Sequence, residues 1–283
     1  MRSIHIINRQ GHNRRLAALV FAAAALFGTV GLVFGQWVYY PTPDVPRKND
    51  GSPNLAAPPP RLPDGKPDFS GIWHTALINQ CVPETGLFCG GTEIGGSPLA
   101  LDIGRNLAGG LPLRPQAADL MKKRTSKDDP HVRCLPDNPP RTWVMPHLTK
   151  AVHTPRLLVL LYEVNAMYRQ IFIDGRPHPE DPIPSWNGYS TAKWQGDTLV
   201  VETKGFRDDL WIDMKGSPMG SSATMTERVS RPSYGRLNID ITIDDPKTYT
   251  KPWTVRFEQE IMLDTELIDE MCLENEKSWQ HMQ

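Results

Sequence analysis

Apolar and polar residues alternate most cleanly in the second half of the chain. Leu237, Ile239, Ile241 and Ile243 are interleaved with Asn238, Asp240 and Thr242, the two-residue period of a strand with one buried face. Trp253, Val255, Phe257, Ile261 and Leu263 share one parity in the segment that follows. Residues 189–194 and 198–203 flank Gln195-Gly196-Asp197, and residues 223–231 and 236–243 flank Pro232-Ser233-Tyr234-Gly235. Each arrangement predicts a hairpin. Residues 157–164 and 168–174 read as two further strands, and residues 267–273 as a last one after an Asp-Thr-Glu turn. About eight strands joined by short turns, with almost no helix between them, predict an all-β, mainly antiparallel fold. Consecutive hairpins shut their own edges most simply as a closed or nearly closed β-barrel, lipocalin-like in outline; a β-sandwich is the alternative.

Upstream of residue 156 the alternation is lost. The body of the barrel is therefore expected over 156–283, with 61–155 as a coil-rich extension packed on it. Residues 115–124 form the one helix candidate: Pro115 in its first turn, Ala117, Ala118, Leu120 and Met121 within, and Lys122, Lys123 and Arg124 at its end. Residues 41–67 hold nine prolines in 27 positions. That density predicts an extended, disordered tether over 36–60. Residues 1–35 combine Arg2, Arg9, Arg14 and Arg15 with an uncharged apolar run over 16–34. This is the pattern of a secretory signal peptide, or of an N-terminal anchor in the inner membrane if it is not cut. A periplasmic or secreted protein follows, touching the membrane only through that segment.

Composition sharpens this picture in two ways. The chain has 283 residues and 27 prolines, too many for a helical bundle. Its 31 basic and 32 acidic residues give a net charge of −1, with no electrostatic footprint for nucleic acid. The four cysteines, Cys81, Cys89, Cys134 and Cys272, allow three pairings. Cys81 and Cys89 flank a Pro-Glu-Thr-Gly turn, which suits a local bridge and leaves Cys134 with Cys272. A zinc site is disfavoured because these gaps match no common ligand spacing.

Six runs occur in order: RLPDGKPDFSGIW (61–73), YRQIFIDGRPHP (168–179), SWNGYSTAKWQGDTLVVETKGF (185–206), TERVSR (226–231), TIDDPKTYTKPW (242–253) and CLEN (272–275). Together they resemble a family of exported, functionally uncharacterised β-rich proteins abundant in soil bacteria. The resemblance implies export and a β-rich body, and brings no activity with it. Those proteins commonly carry a His shortly after a Gly-x-Pro element, where this chain has Gly216-Ser217-Pro218-Met219.

Candidate chemistry clusters where a strand runs into a long Pro-rich loop. Asp174, Arg176 and His178 bring a carboxylate, a guanidinium and an imidazole within five residues, enough to bind an anion or move a proton. Glu227 shares strand parity with Met225 and Val229, which places a carboxylate inside the barrel; Arg169, Arg231 or a ligand would have to pair with it. Trp186, Tyr189, Trp194, Trp211 and Trp253 gather around the same loops, as aromatic residues lining a ligand pocket would. The loop 174–190, with Pro177, Pro179, Pro182 and Pro184, is expected to rim that pocket. No phosphate loop, dinucleotide fingerprint or nucleophile elbow is present, so no cofactor and no metal is expected.

Two readings remain. In the first, an exported barrel binds a small, largely apolar or aromatic ligand through Trp186, Tyr189, Trp194, Trp211 and Arg176. In the alternative, the protein is a cofactor-independent hydrolase, lyase or isomerase using His178 with Glu227 or Asp174 as acid and base. The two differ in one geometric requirement: the enzyme needs those groups to converge.

Overall fold

The computed structural model describes residues 40–76, 97–268 and 270–272. The expected signal or anchor segment and the Cys81–Cys89 bridge lie outside them. Within them the strands are β1 (Gly71–Thr75), β2 (Thr149–Thr154), β3 (Leu157–Tyr162), β4 (Tyr168–Phe172), β5 (Tyr189–Gln195) and β6 (Thr198–Lys204). They continue with β7 (Leu210–Trp211), β8 (Pro218–Met219), β9 (Thr224–Ser233), β10 (Arg236–Asp244) and β11 (Trp253–Met262). One helix, α1 (Pro115–Lys123), precedes β2.

Nine strands close a barrel in the order β1-β11-β10-β9-β6-β5-β4-β3-β2, while β7 and β8 form a separate small sheet. The barrel is antiparallel at every seam except β4–β5, which run parallel. Inward positions follow the alternation in the sequence: Leu237, Ile239, Ile241 and Ile243 on β10, and Trp253, Val255, Phe257 and Ile261 on β11, are all buried. Gln195 pairs with Thr198, so β5 and β6 are joined by Gly196-Asp197. Gly196 takes φ +62°, as such a two-residue hairpin turn requires.

Three expectations change. The barrel takes β1 and β2 from the stretch expected only to pack on it: β1 bridges β11 and β2 and closes the ring. The last expected strand, over 267–273, is not a barrel strand among the described residues. Glu270 makes only a parallel bridge to Val164, since acidic side chains crowd this segment and β1 already occupies the edge. The tether also has order from residue 40. Its carbonyls accept from the β9–β10 turn, at Tyr234 N to Ala57 O (2.7 Å) and Gly235 N to Leu55 O (2.9 Å). Thr42 and Asp264 exchange two more hydrogen bonds. Proline removes donors from this arm but leaves its carbonyls free to accept.

Candidate functional site

Glu227 faces the barrel interior and is fully buried. Arg169, on β4, is its partner: Nη1 donates to Oε1 at 3.0 Å and Nη2 to Oε2. Trp143 Nε1 adds a third bond to Oε1 at 2.9 Å. The rest of the Arg169 fork donates to Ser190 Oγ and Thr203 Oγ1. Both carboxylate oxygens are thus engaged, and the pair is a neutral, saturated plug. Arg231, the other partner considered for Glu227, instead donates to backbone oxygens of Tyr234, Asp68 and Ser70. Burial without a bonded carboxylate pushes its guanidinium down to about 10.

His178 is elsewhere. The loop after β4 folds back over the outer face of β5, where His178 Nε2 meets Thr191 Oγ1 at 2.9 Å and Glu202 Oε1 at 3.4 Å. Thr191 alternates with the inward Ser190 and Ala192, so a strand of the wall separates His178 from Glu227. Asp174 is spent on Arg176, whose Nε donates to both its oxygens. The three proposed acid/base residues therefore do not converge. They sit in one stretch of sequence on different sides of the sheet.

The aromatic residues divide similarly. Trp186 and Tyr189 line a cleft of about 500 Å³ along the β4–β5 seam, with Tyr168, Phe172, Asn165 and Asn187. Arg169 and Ser190 also border it. Arg176 does not line the cleft but braces it: its guanidinium stacks 3.9 Å from the Phe172 ring centroid and reaches Tyr189 Oη at 3.5 Å. Arg207 stacks on Trp186 at 4.2 Å. Gly188 has φ +62°, and a Cβ there would meet Lys204 O at 2.7 Å, so the strand can enter the wall only as glycine. Trp194 and Trp211 lie outside the cleft. Trp194 packs at the far end of β5 against Phe69 and His153, and Trp211 is buried on β7 under Arg124.

A second constellation had no local signal in the sequence. Asp137 is 1% exposed and its Oδ2 lies 2.9 Å from His131 Nδ1. Arg141 backs the pair. It forks onto Asp129 with two bonds of 2.8 Å, and its Nε lies 3.1 Å from Asp137 Oδ1. The His147 ring is centred 6.1 Å from that of His131, and its Nδ1 is 3.2 Å from Glu270 Oε2. These neighbours push the two imidazoles in opposite directions. The bond to Asp137 raises His131 above its ordinary value, with burial only partly opposing it. Burial lowers His147, and the His131 charge lowers it further, against the pull of Glu270. Burial pushes the Asp137 carboxyl up, but the His131 bond and the Arg141 charge together hold it below the ordinary range.

The chain itself connects this group to the cleft. Pro136, next to Asp137, lines the cleft. Asn165, which also lines it, donates its N–H to Glu270 O at 2.9 Å. The Cys134–Cys272 disulfide joins the segment of His131 and Asp137 to that of Glu270. His153, by contrast, stacks on Phe69 at 5.1 Å and is no part of the group. Among the described residues, no three His, Cys, Asp or Glu side chains are placed to hold a metal ion.

No family model, curated protein or solved structure matches the chain.

Proposed function

We propose that the protein is a cofactor-independent acid/base enzyme, a hydrolase, lyase or isomerase, in which His131 and His147 replace the residues that sequence spacing suggested. One observation carries this reading: two imidazoles 6.1 Å apart whose environments drive their proton affinities apart. Such divergence is how neighbouring groups divide into acid and base. His147, with its lowered affinity, is the base and is neutral near pH 7. His131, its proton affinity raised and its ring oriented by Asp137, is the acid. In each reaction class one ring takes a proton from water or from an acidic C–H. The other delivers a proton to the oxygen that gains charge.

The β4–β5 cleft is the binding half of this reading, bordered by Pro136, which adjoins Asp137, and by Asn165, whose backbone N–H is bonded to Glu270 O. Export stays part of the proposal: the Arg-flanked apolar run at residues 16–34 and the Cys134–Cys272 bridge both suit an oxidising compartment.

The test is turnover of a panel of aryl esters, β-elimination substrates and enolisable ketones. His131→Gln and His147→Gln should each lower the rate about 10²–10⁴-fold, while His178→Gln leaves it near the parent value. The pH profile should rise as His147 loses its proton below about 6.5 and fall as His131 loses its own above it. Parent-like rates in both variants, on any substrate that is turned over, would remove the assignment.

A further inference from the structure

β4 is paired fully on one side and only in part on the other. Toward β3 it pairs at every residue from Tyr168 to Phe172. Toward β5 it pairs only at Ile171 and Phe172, and the residues before Tyr189 stand off from it across the cleft of about 500 Å³. Tyr168, Arg169 and Gln170 are therefore a stretch of strand edge, about 10 Å long by the ordinary rise of a strand, that opens on a cavity instead of a neighbour.

The bonds at the two ends of β4 set the direction of its main-chain groups. Met167 O accepts from Tyr162 N at 2.8 Å, and Ile173 N donates to Arg156 O at 2.9 Å, so both residues turn toward β3. Main-chain groups along a strand alternate in direction. Those of Arg169 and Ile171 thus also turn toward β3, and those of Tyr168 and Gln170 turn toward the cleft. The N–H groups of Tyr168 and Gln170 have no backbone partner there among the described residues. The carbonyl of Tyr168 is occupied: Asn187 Nδ2 donates to it at 3.0 Å, a side-chain amide in the place of a neighbouring strand's N–H. The edge still offers two donors, two residues apart, beside a Tyr168 side chain that is 61% exposed. Unpaired strand donors at this spacing are a template for another strand.

We propose that the β4 edge takes an extended peptide segment as an added strand. Two of its carbonyls, two residues apart, accept from the N–H groups of Tyr168 and Gln170, while its apolar side chains lie against Trp186 and Tyr189, which line the same cleft. The inference names a peptide as the substrate class, and it rests on the cleft being the binding half of the proposed enzyme. It does not require the histidines to be catalytic.

Amide hydrogen exchange of the full chain, followed residue by residue, tests it with capped tetrapeptides that alternate Val or Thr with Tyr, Phe or Trp. In the free chain Tyr168 and Gln170 should exchange faster than Arg169, which is bonded to β3. A saturating peptide should slow both about tenfold or more and narrow that gap. N-acetyltyrosinamide, which carries the ring without an extended backbone, should bind at least about tenfold more weakly and leave Gln170 unprotected. Gln170→Pro deletes one donor where no β3 bond is lost and should weaken peptide binding about tenfold, with a thermal melt verifying that the variant folds. The exchange pattern of the parent chain decides the matter even if that variant does not fold. Protection of Tyr168 and Gln170 equal to that of Arg169 in the free chain would mean that the edge is already closed, by this chain or by a second copy. Equal binding of the tyrosinamide would mean that the cleft reads a ring alone. Either result, or binding of none of the peptides, overturns the proposal. A chain that binds such a peptide but turns over no substrate keeps this inference and loses the preceding one; turnover of small aryl substrates without peptide binding does the reverse.

Discussion

His178 and His131 each lean on a carboxylate, and the two contacts look alike on paper. His178 sits 3.4 Å from Glu202, whose side chain is 45% exposed and shared with Lys204 at 2.8 Å. His131 sits 2.9 Å from Asp137, which is 1% exposed and backed by Arg141. At the first site solvent and a competing cation dilute the carboxylate, and burial of the imidazole lowers its proton affinity. At the second the carboxylate is shielded, stays ionised and raises the affinity of its imidazole. The sign of the shift is thus set by what surrounds the carboxylate, not by the presence of one.

The largest way to break this contrast is to remove the cation behind Asp137. Arg141→Met leaves Asp129 as a buried carboxylate without its cation and Asp137 with His131 alone, and should cost about 3–5 kcal/mol in urea unfolding. Lys204→Met, beside exposed Glu202, should stay within about 0.5 kcal/mol. Equal costs would mean that shielding does not separate the two sites.

Cutting the disulfide comes next. Cys134 and Cys272 close a span of 138 residues, and Cys272→Ser should lower stability by about 2–4 kcal/mol. It should also lower the proton affinity of His147 further, by loosening the segment whose Glu270 pulls it up, without touching His178. Movement of His178 instead would show that the bridge acts on the barrel as a whole.

A smaller effect sharpens the same comparison by pH. Proton resonances of the rings should place the His131 midpoint above about 6.5 and those of His147 and His178 below it. Because the folded affinity of His131 is raised, its stabilising contribution is complete below pH ~6.5 and is lost as pH rises through the folded midpoint. His131→Gln should flatten that alkaline loss. His147 works in the opposite sense: its contribution is present above pH ~6.5 and is lost as pH falls. A shared midpoint for His131 and His147 would end their division into acid and base. The smallest effect is Glu202→Gln, which should change stability by no more than about 0.5 kcal/mol.

What the sequence reveals follows from how local each feature is. The β10 strand is legible because Leu237, Ile239, Ile241 and Ile243 state their own facing. The β5–β6 hairpin is legible because Gly196-Asp197 carries the turn. Glu227 was legible by parity, and the cost of burying it alone called for an arginine, which Arg169 supplies. β1 was hidden: five residues, Gly71–Thr75, draw their strand identity from β11 and β2. The order of residues 40–60 was hidden for the same reason, since it comes from bonds to a distant turn. Of the aromatic residues, Trp186 and Tyr189 were found because they flank one loop, whereas Trp194 and Trp211 are equally aromatic and lie elsewhere. The His131 group left no trace because its members come from two single 3-10 turns, His131–Arg133 and Arg141–Trp143, the coil beside them and Glu270. Only tertiary contact makes His131, Asp137, Arg141 and His147 a unit.

The parallel seam has a kinetic consequence. β4 and β5 pair at Ile171–Ser190 and Phe172–Thr191 alone, whereas β5 and β6 pair along their whole length from Tyr189–Lys204 to Gln195–Thr198. The β4–β5 seam is the shortest of the ring, ahead of the three pairs that join β1 to β2, and amide protons along β4 should exchange through local opening long before those of β9 and β10. The cleft runs beside that seam. A molecule lodged there would span the two strands, so its grip would register as slowed exchange at β4 while the rest of the barrel kept its own pace.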